Sequence, residues 1–509
     1  MDFTKLARPY FSMLCKRSDR WAASPAEAQQ AQLRSLLKRG AGSEVGRHFA
    51  FSEIAAMESP YAAFARRVVP VEYEDIREDV MRMVNGEADV LWPGRCMDFA
   101  QSSGTSGGRS KYVPITRDSL QRCHYAGASY VVANYLRCVP DSRLFSGKAF
   151  ILGGSFASEL HPDNPSVRIG DLSASLIRNI NPLAGLFRIP SASVALMPDW
   201  ESKLPALVKA ASHANVTNLS GVPSWFLTVI KGVMKERGVE KISDAWPNLE
   251  VFFHGGISFE PYRQIYSDIT DPTRMHFMET YNASEGFFAA QDRLESSEML
   301  LILDNDVFYE FVDISEPGSD PRPIWEIEPG KVYELLITSS NGLWRYRIGD
   351  TVRVESISPV RIRIAGRTKA FINAFGEELM EENAERGIAE ASESTGGIVR
   401  HYTAAPVYAD GAHRGRHQWI IEWEREPSDI AAFARVLDAS LRKVNSDYDA
   451  KRTHTIFLDP PEVITVPSGA FERWLHSVGS GRLGGQRKVP RLRNDRSIAD
   501  AVLTLISQR

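Results

Sequence analysis

Gln101-Ser-Ser-Gly-Thr-Ser-Gly-Gly-Arg-Ser-Lys-Tyr112 is the stretch on which the reading of this chain turns. Within it, Ser102 to Gly108 holds four hydroxyl side chains and three glycines, and Arg109 and Lys111 follow. Glycine tolerates positive φ and has no Cβ in the way, so such a loop can turn several backbone N–H groups toward one anion. The hydroxyls add donors and the cations add charge. A phosphate-binding Walker A loop is excluded, because its spacing from Gly104 lands on Arg109 and from Gly107 on Tyr112. The dinucleotide pattern G-x-G-x-x-G is absent from this stretch as well. Alone, a Ser/Gly-rich loop is as readily a solvated turn, so its meaning depends on what lies downstream.

Outward from the loop, the chain reads as α/β. Ala149 to Leu152, Val216 to Leu219, Val251 to Phe253 and His276 to Met278 are short and apolar enough for buried strands. Thr116 to Arg137, with Thr116 as N-cap, and Pro223 to Glu236 read as helices between them. Strands alternating with helices predict a largely parallel sheet. Upstream, the first 95 residues are charge-rich and helix-like, as in Ala26 to Lys38 and Glu72 to Val84. From Leu300 to Ser356 the pattern changes to strands with turn signals such as Ser340-Asn341-Gly342, which predicts an antiparallel subdomain. A boundary is expected near Gly366, where Ala365-Gly-Arg-Thr368 reads as a turn after a strand at Arg361 to Ile364. Beyond it come an acidic helix from Glu377 to Glu390, a strand at Gln418 to Trp423, and helices at Ile430 to Val444 and Ile498 to Ile506.

Bulk properties bound the function. The chain has 509 residues, too many for one core, which sets a prior of two to four domains. A net charge of −4 gives no global case for nucleic acid or a membrane surface as partner. The four cysteines form no C-x-x-C pair and suit a reducing compartment. No signal-like opening and no apolar run of membrane-spanning length is present, so a cytoplasmic location is expected.

Three further stretches carry chemistry. Glu279-Thr-Tyr-Asn-Ala-Ser-Glu-Gly286 follows a buried strand, and ligands of open α/β sheets sit at strand carboxyl ends. An aromatic there can stack on a purine and a carboxylate there can hold Mg²⁺; a strand-to-helix turn with a capping serine is the plainer reading. Trp344-Arg-Tyr-Arg-Ile-Gly-Asp350 keeps strand alternation and ends it with a carboxylate able to accept both ribose hydroxyls, although Gly-Asp turns are common. Gly479 to Arg491 holds four glycines and four cations with no acid, and is either a mobile loop that swings a cation onto a phosphate or a solvated linker. His413 and His417 have metal-like spacing without a partner pattern and read as surface.

The order of Ser-Ser-Gly-Thr-Ser-Gly-Gly, Tyr-Asn-Ala-Ser-Glu and Tyr-Arg-Ile-Gly-Asp resembles the Gretchen-Hagen auxin-responsive family of acyl acid–amido synthetases, within the adenylate-forming superfamily. Gly221-Val-Pro-Ser-Trp225 and Gln486-Arg-Lys-Val-Pro-Arg491 are similar to it too, and the likeness runs from about Arg39 to Arg491. It implies an α/β fold: a large N-terminal adenylate-forming domain, residues 1–366, of parallel and mixed sheets with helices and a β-rich subdomain, and a smaller mobile α+β C-terminal domain, residues 367–509. It implies ATP and Mg²⁺, a carboxylic acid substrate and an amino acid or amine acceptor. Ser102, Ser103, Gly104, Thr105 and Ser106 would cradle the phosphates. Gly255, Gly256, Tyr281 and Ser284 would line the nucleotide, with Tyr281 stacked on adenine. Glu285 would bind Mg²⁺, Asp350 the ribose, and Arg367 would sit near hinge and nucleotide. Lys488 would be the mobile catalytic lysine, and Val222 and Trp225 would wall the acyl pocket together with the segment from Leu120 to Tyr135. Where plant members carry Ser-Ser-Glu this chain has Ala283-Ser-Glu285, and the plant hormone pocket has no motif that carries over. Transfer to a thiol, on CoA or a carrier protein, is the competing expectation.

Overall fold

The computed structural model describes residues 2–507 except 103–110, 368–370, 408–414, 453–457, 479–488 and isolated positions elsewhere. The chain divides into two compact units. The first takes in Met1–Ile257, Ile265–Arg363 and Gly484–Gln486, and the second Ser258–Gln264, Ile364–Leu483 and Arg487–Arg509.

The first unit is built on a twelve-stranded sheet. One half is parallel, with Arg188–Ile189, Lys148–Ile151, Val216–Gly221, Val251–Gly255 and His276–Ala283 side by side. The four expected buried strands are all here, each a residue or more longer or shifted. Val251–Gly255 is buried at every position but its last, as an apolar run covered on both faces requires. The connecting helices Trp200–Ala211 and Pro223–Arg237 follow the strands they serve.

At His276–Ala283 the sheet turns antiparallel. That strand doubles back through Ser284-Glu285 into Gly286–Ala290, so the expected strand-to-helix turn is a hairpin. Beyond it lie Met299–Leu301, Val360–Arg367, Leu343–Ile357, Val332–Ser339 and Val307–Asp313, the expected antiparallel subdomain. Two local readings are corrected. Gly349-Asp350 does not end its strand, which runs from Leu343 to Ile357. Nor is Ala365-Gly-Arg367 a turn, because Val360–Arg367 is continuous strand with Gly366 at φ 147°. In both places glycine lets the strand bend without stopping.

The phosphate-type loop joins two paired strands, Asp98–Ser102 and Lys111–Ile115, with Ser102 opposite Lys111. The following helix begins with a π-helical turn, Ser119–His124, before Tyr125–Cys138. Thr116 Oγ1 accepts from the Ser119 N–H at 3.0 Å, as its capping position predicts. Leu120, Cys123, Tyr130, Val131 and Tyr135 on this helix belong to the main hydrophobic core.

The second unit is a three-stranded sheet, Ile398–Val407 antiparallel to Arg416–Arg425 and this parallel to Glu462–Val466. Helices Glu381–Thr395 and Ile430–Val444 pack on it through Ile388, Ala391, Phe433 and Leu437. Ala470–Ser477 and Ser497–Ser507 form a second apolar cluster with Ile420 and Val489. The acidic helix begins at Glu381 rather than Glu377, after a short strand at Leu379–Met380.

Candidate functional site

Four parallel strands end along one edge of the sheet, at Ile151, Gly221, Gly255 and Ala283. This is the edge where an open α/β sheet takes its ligands. Gly255 is there for a steric reason. It pairs with Thr280, and a Cβ on it would lie 2.4 Å from the Thr280 carbonyl oxygen. Gly256 then turns the chain away at φ 83°. The Thr280 hydroxyl donates to the His254 carbonyl at 3.1 Å, which ties the two strand ends together.

Next to Thr280, Tyr281 and Asp350 meet. The Tyr281 hydroxyl donates to Asp350 Oδ2 at 2.7 Å, and both side chains are buried. The two expected motifs thus converge, and the cause is local. Gly349 adopts φ 79°, and the pairing slips there from Glu334–Thr351 to Leu336–Arg347. That bulge re-aims the Asp350 carboxylate toward Tyr281. The Tyr281 ring also meets Phe288 edge-on, with centroids 4.9 Å apart. The neighbouring arginines serve the fold: Arg345 is buried against Glu310 at 2.7 Å, and Arg347 pairs with Glu334.

Glu285 and Ser284 form the hairpin tip. Glu285 is 9% exposed, so its carboxylate is held largely out of bulk water. The Ser284 carbonyl accepts from Asn341 Nδ2 at 3.4 Å, and the Ser340 carbonyl accepts from Thr116 Oγ1 at 2.6 Å. The Ser340-Asn-Gly342 turn therefore braces both the hairpin tip and the start of the helix after the glycine–hydroxyl loop.

Of that loop, Ser102 closes its strand, whereas Ser103, Gly104, Thr105 and Ser106 lie outside the described residues, as does Lys488. Lys111 at the far stem lies over the Tyr73 ring, 5.8 Å from its centroid. Arg367 is the last residue of its strand, and its side chain is outside the described part. Val222 and Trp225 flank Pro223 at the start of helix Pro223–Arg237, both half-buried beside the end of Val216–Gly221. Behind them Phe226 packs edge-on against Phe150 and Phe252.

One group at this edge was not foreseen. Lys203, 3% exposed, donates to the Gly153 carbonyl at 2.6 Å, just past the end of Lys148–Ile151. Asp171 takes the Ser173 N–H at 2.8 Å, and Ser173 Oγ accepts from the Gly154 N–H at 2.7 Å. Together these clamp Gly153-Gly154. Burial pushes the Lys203 ammonium down to about 8, against the opposing pull of Asp171. A lysine on an otherwise ordinary helix carries no such signal in the sequence. His417, read as surface, is buried instead, with Nε2 2.7 Å from Glu377 Oε1. Among the described residues no group of three or more His, Cys, Asp or Glu side chains could hold a metal ion.

Comparison with known proteins agrees along nearly the whole chain. The GH3 family N-terminal domain matches residues 15–275, its central domain residues 300–367 and its C-terminal domain residues 382–497. The indole-3-acetic acid-amido synthetase GH3.4 of Arabidopsis thaliana is 24% identical over 554 residues, spanning 92% of this chain and 89% of that protein. GH3.17, another indole-3-acetic acid-amido synthetase of that plant, is 21% identical over 562 residues, with 91% and 90% covered. Among solved structures, the AtGH3.15 acyl acid amido synthetase in complex with 2,4-DB superposes with a TM-score of 0.76 at 18% identity, covering 96% of this chain and 95% of that one. A 2-hydroxyisobutyryl-CoA ligase in its postadenylation state gives 0.61 at 13% identity, covering 95% and 92%. These likenesses give the fold: a mixed α/β adenylate-forming architecture with a C-terminal domain.

Proposed function

The chain belongs to the GH3 family, and on that premise we propose that it is an ATP-dependent acyl acid–amido synthetase, a ligase that joins a carboxylic acid to the amine of an amino acid. A carboxylate does not condense with an amine near neutral pH, because the leaving group would be oxide. The enzyme solves this in two steps. A carboxylate oxygen attacks the α-phosphorus of ATP, forming a C(O)O–P bond and breaking the bond to the β-phosphate, so pyrophosphate leaves. The amine nitrogen then attacks the carbonyl carbon. A C–N bond forms, the C–O bond to AMP breaks, and the nitrogen gives up a proton.

The observation that carries the reading is the Tyr281–Asp350 hydrogen bond at the carboxyl edge of the parallel strands. It joins the second and third motifs where a nucleotide would sit. In this reading Asp350 accepts the ribose hydroxyls, oriented by Tyr281, and the Gly255-Gly256 turn opens space beside them. The donors of the loop from Ser102 to Gly108 hold the phosphates, and Lys488 offsets charge that develops as two anions meet. Arg367 serves the nucleotide near the start of the second unit. Residues 1–366 would carry the ATP and acid sites and residues 367–509 would act as the lid. Val222 and Trp225 wall the acid pocket.

Magnesium fits the donor set. A carboxylate is a hard oxygen ligand, and Mg²⁺ is commonly held by one or two carboxylates with substrate phosphates. Glu285 would hold it, and the ion would supply positive charge against the triphosphate. The described chain has no helix long and apolar enough to cross a membrane; a cytoplasmic site of action is part of the proposal.

Acid-dependent pyrophosphate exchange across a panel of carboxylic acids tests the first step. AMP release with the twenty amino acids, set against CoA, tests the second. Exchange with at least one acid and acceleration by an amino acid are expected. No exchange with any acid, or acceleration by thiols alone, rejects the reading.

A further inference from the structure

The second unit contains a buried ionic cluster that the reaction as described does not use. Arg491 Nε lies 3.4 Å from Glu385 Oε1, and the Tyr402 hydroxyl donates to the same oxygen at 3.0 Å. The Arg491 guanidinium also lies over the Tyr402 ring, 4.6 Å from its centroid. Glu385 and Tyr402 are buried and the Arg491 side chain is 11% exposed, and among the described residues Glu385 Oε2 has no hydrogen-bond partner. The cluster ties together helix Glu381–Thr395, strand Ile398–Val407 and residues 489–493.

Those residues are pinned by their backbone as well. Ala404 N–H donates to the Arg491 carbonyl at 2.8 Å, Arg493 N–H donates to the Ala404 carbonyl at 3.0 Å, and Ala404 and Leu492 form a parallel bridge. The Thr403 hydroxyl donates to the Pro490 carbonyl at 2.8 Å. Val489 and Leu492 are buried in the unit's two apolar clusters. The chain leaving Lys488 is therefore fastened from its first following residue. A charge buried with a lone unpartnered oxygen is costly, and is tolerated only where the Arg491–Glu385 pairing is kept. Burial pushes the Glu385 carboxyl up to about 6, with Arg491 pulling it down and Glu381 adding to the rise. Burial opposes the charge of Arg491, and Glu385, Tyr402, Tyr262 and Glu381 more than restore it.

We propose that Glu385, Tyr402 and Arg491 are positioning residues that fasten the C-terminal side of Lys488 and so set the reach of its ammonium in the adenylation step. The inference rests on the reading of Lys488 given above. It follows from length. Only two residues, Val489 and Pro490, separate Lys488 from Arg491, so a shift at the anchor has little chain in which to be absorbed before the lysine. A misplacement of about 1 Å at a reacting centre costs on the order of 10²-fold in rate.

Glu385→Gln keeps the shape and removes the charge, and Tyr402→Phe removes only the hydroxyl. Three measurements on the full-length chain decide the matter. Trypsin cleavage after Arg491 should quicken about tenfold in either variant, because cleavage follows the population of the locally opened form. The kcat of pyrophosphate exchange should fall on the order of 10²-fold in E385Q, with KM for ATP unchanged. Amide formation from a preformed acyl-adenylate should stay at the wild-type rate. Equal loss in both half-reactions would mark the cluster as merely structural and overturn the proposal, as would faster cleavage with unaltered exchange. Lys488→Ala separates the two readings. A K488A enzyme that exchanges pyrophosphate normally overturns the role of Lys488 and this one with it, whereas an inactive K488A beside a fully active E385Q overturns the anchor alone.

Discussion

Tyr281 and Asp350 stand 69 positions apart and share one hydrogen bond. A hydrogen bond to a charged group contributes about 1.5–3 kcal/mol. Tyr281→Phe should therefore lower kcat/KM for ATP in pyrophosphate exchange about tenfold or more while the fold persists, since the ring still packs on Phe288. Unchanged kinetics would remove Tyr281 from the orientation of Asp350. Lys203 makes a prediction of a different kind. Its ammonium is depressed to about 8 in the folded chain, from an ordinary 10.5. Between those values the unfolded chain binds more protons, so stability rises with pH across that window and the contribution is unfavourable below it. Denaturant midpoints measured from pH 7 to pH 10 should climb in the wild type relative to Lys203→Met. Parallel profiles would show that Lys203 is not the titrating group.

At the scale of elements, glycines decide where strands bend and how closely they approach. Gly349 supports the bulge that delivers Asp350. Gly349→Ala places a Cβ in left-handed backbone and should cost about 1–2 kcal/mol of stability. Adenylation should suffer more than that loss explains, because the bulge aims the carboxylate; thermal melts and exchange kinetics on the same sample separate the two effects. Much of this was legible beforehand. The motif order, the four buried strands and the antiparallel run after Leu300 all came from residue patterns. The strand through Gly349 did not, because Gly-Asp at a strand end and Gly-Asp at a bulge look alike in sequence. The Ser284-Glu285 hairpin was missed for a similar reason: a capping serine and a two-residue turn use the same residue types.

At the scale of the molecule, the chain folds as two units with separate cores and separate sheets, and the proposed activity would draw on both. The second carries Val489 and Arg491, which follow Lys488 in sequence. Lys488→Ala should abolish pyrophosphate exchange by about 10²–10³-fold, the size of one lost charged contact to a developing anion. It should spare the use of a preformed acyl-adenylate. Exchange near the wild-type rate would take Lys488 out of the mechanism.

The sequence by itself pointed to the reaction class, because its motifs stand in the order of the family they resemble, and that order is written linearly. Only the tertiary structure decided which of those groups touch. Lys203 became a buried clamp and Glu385 a buried anchor, and the reason is physical: burial and pairing belong to the packing of distant segments, whereas a residue's own letter states its chemistry but not its surroundings.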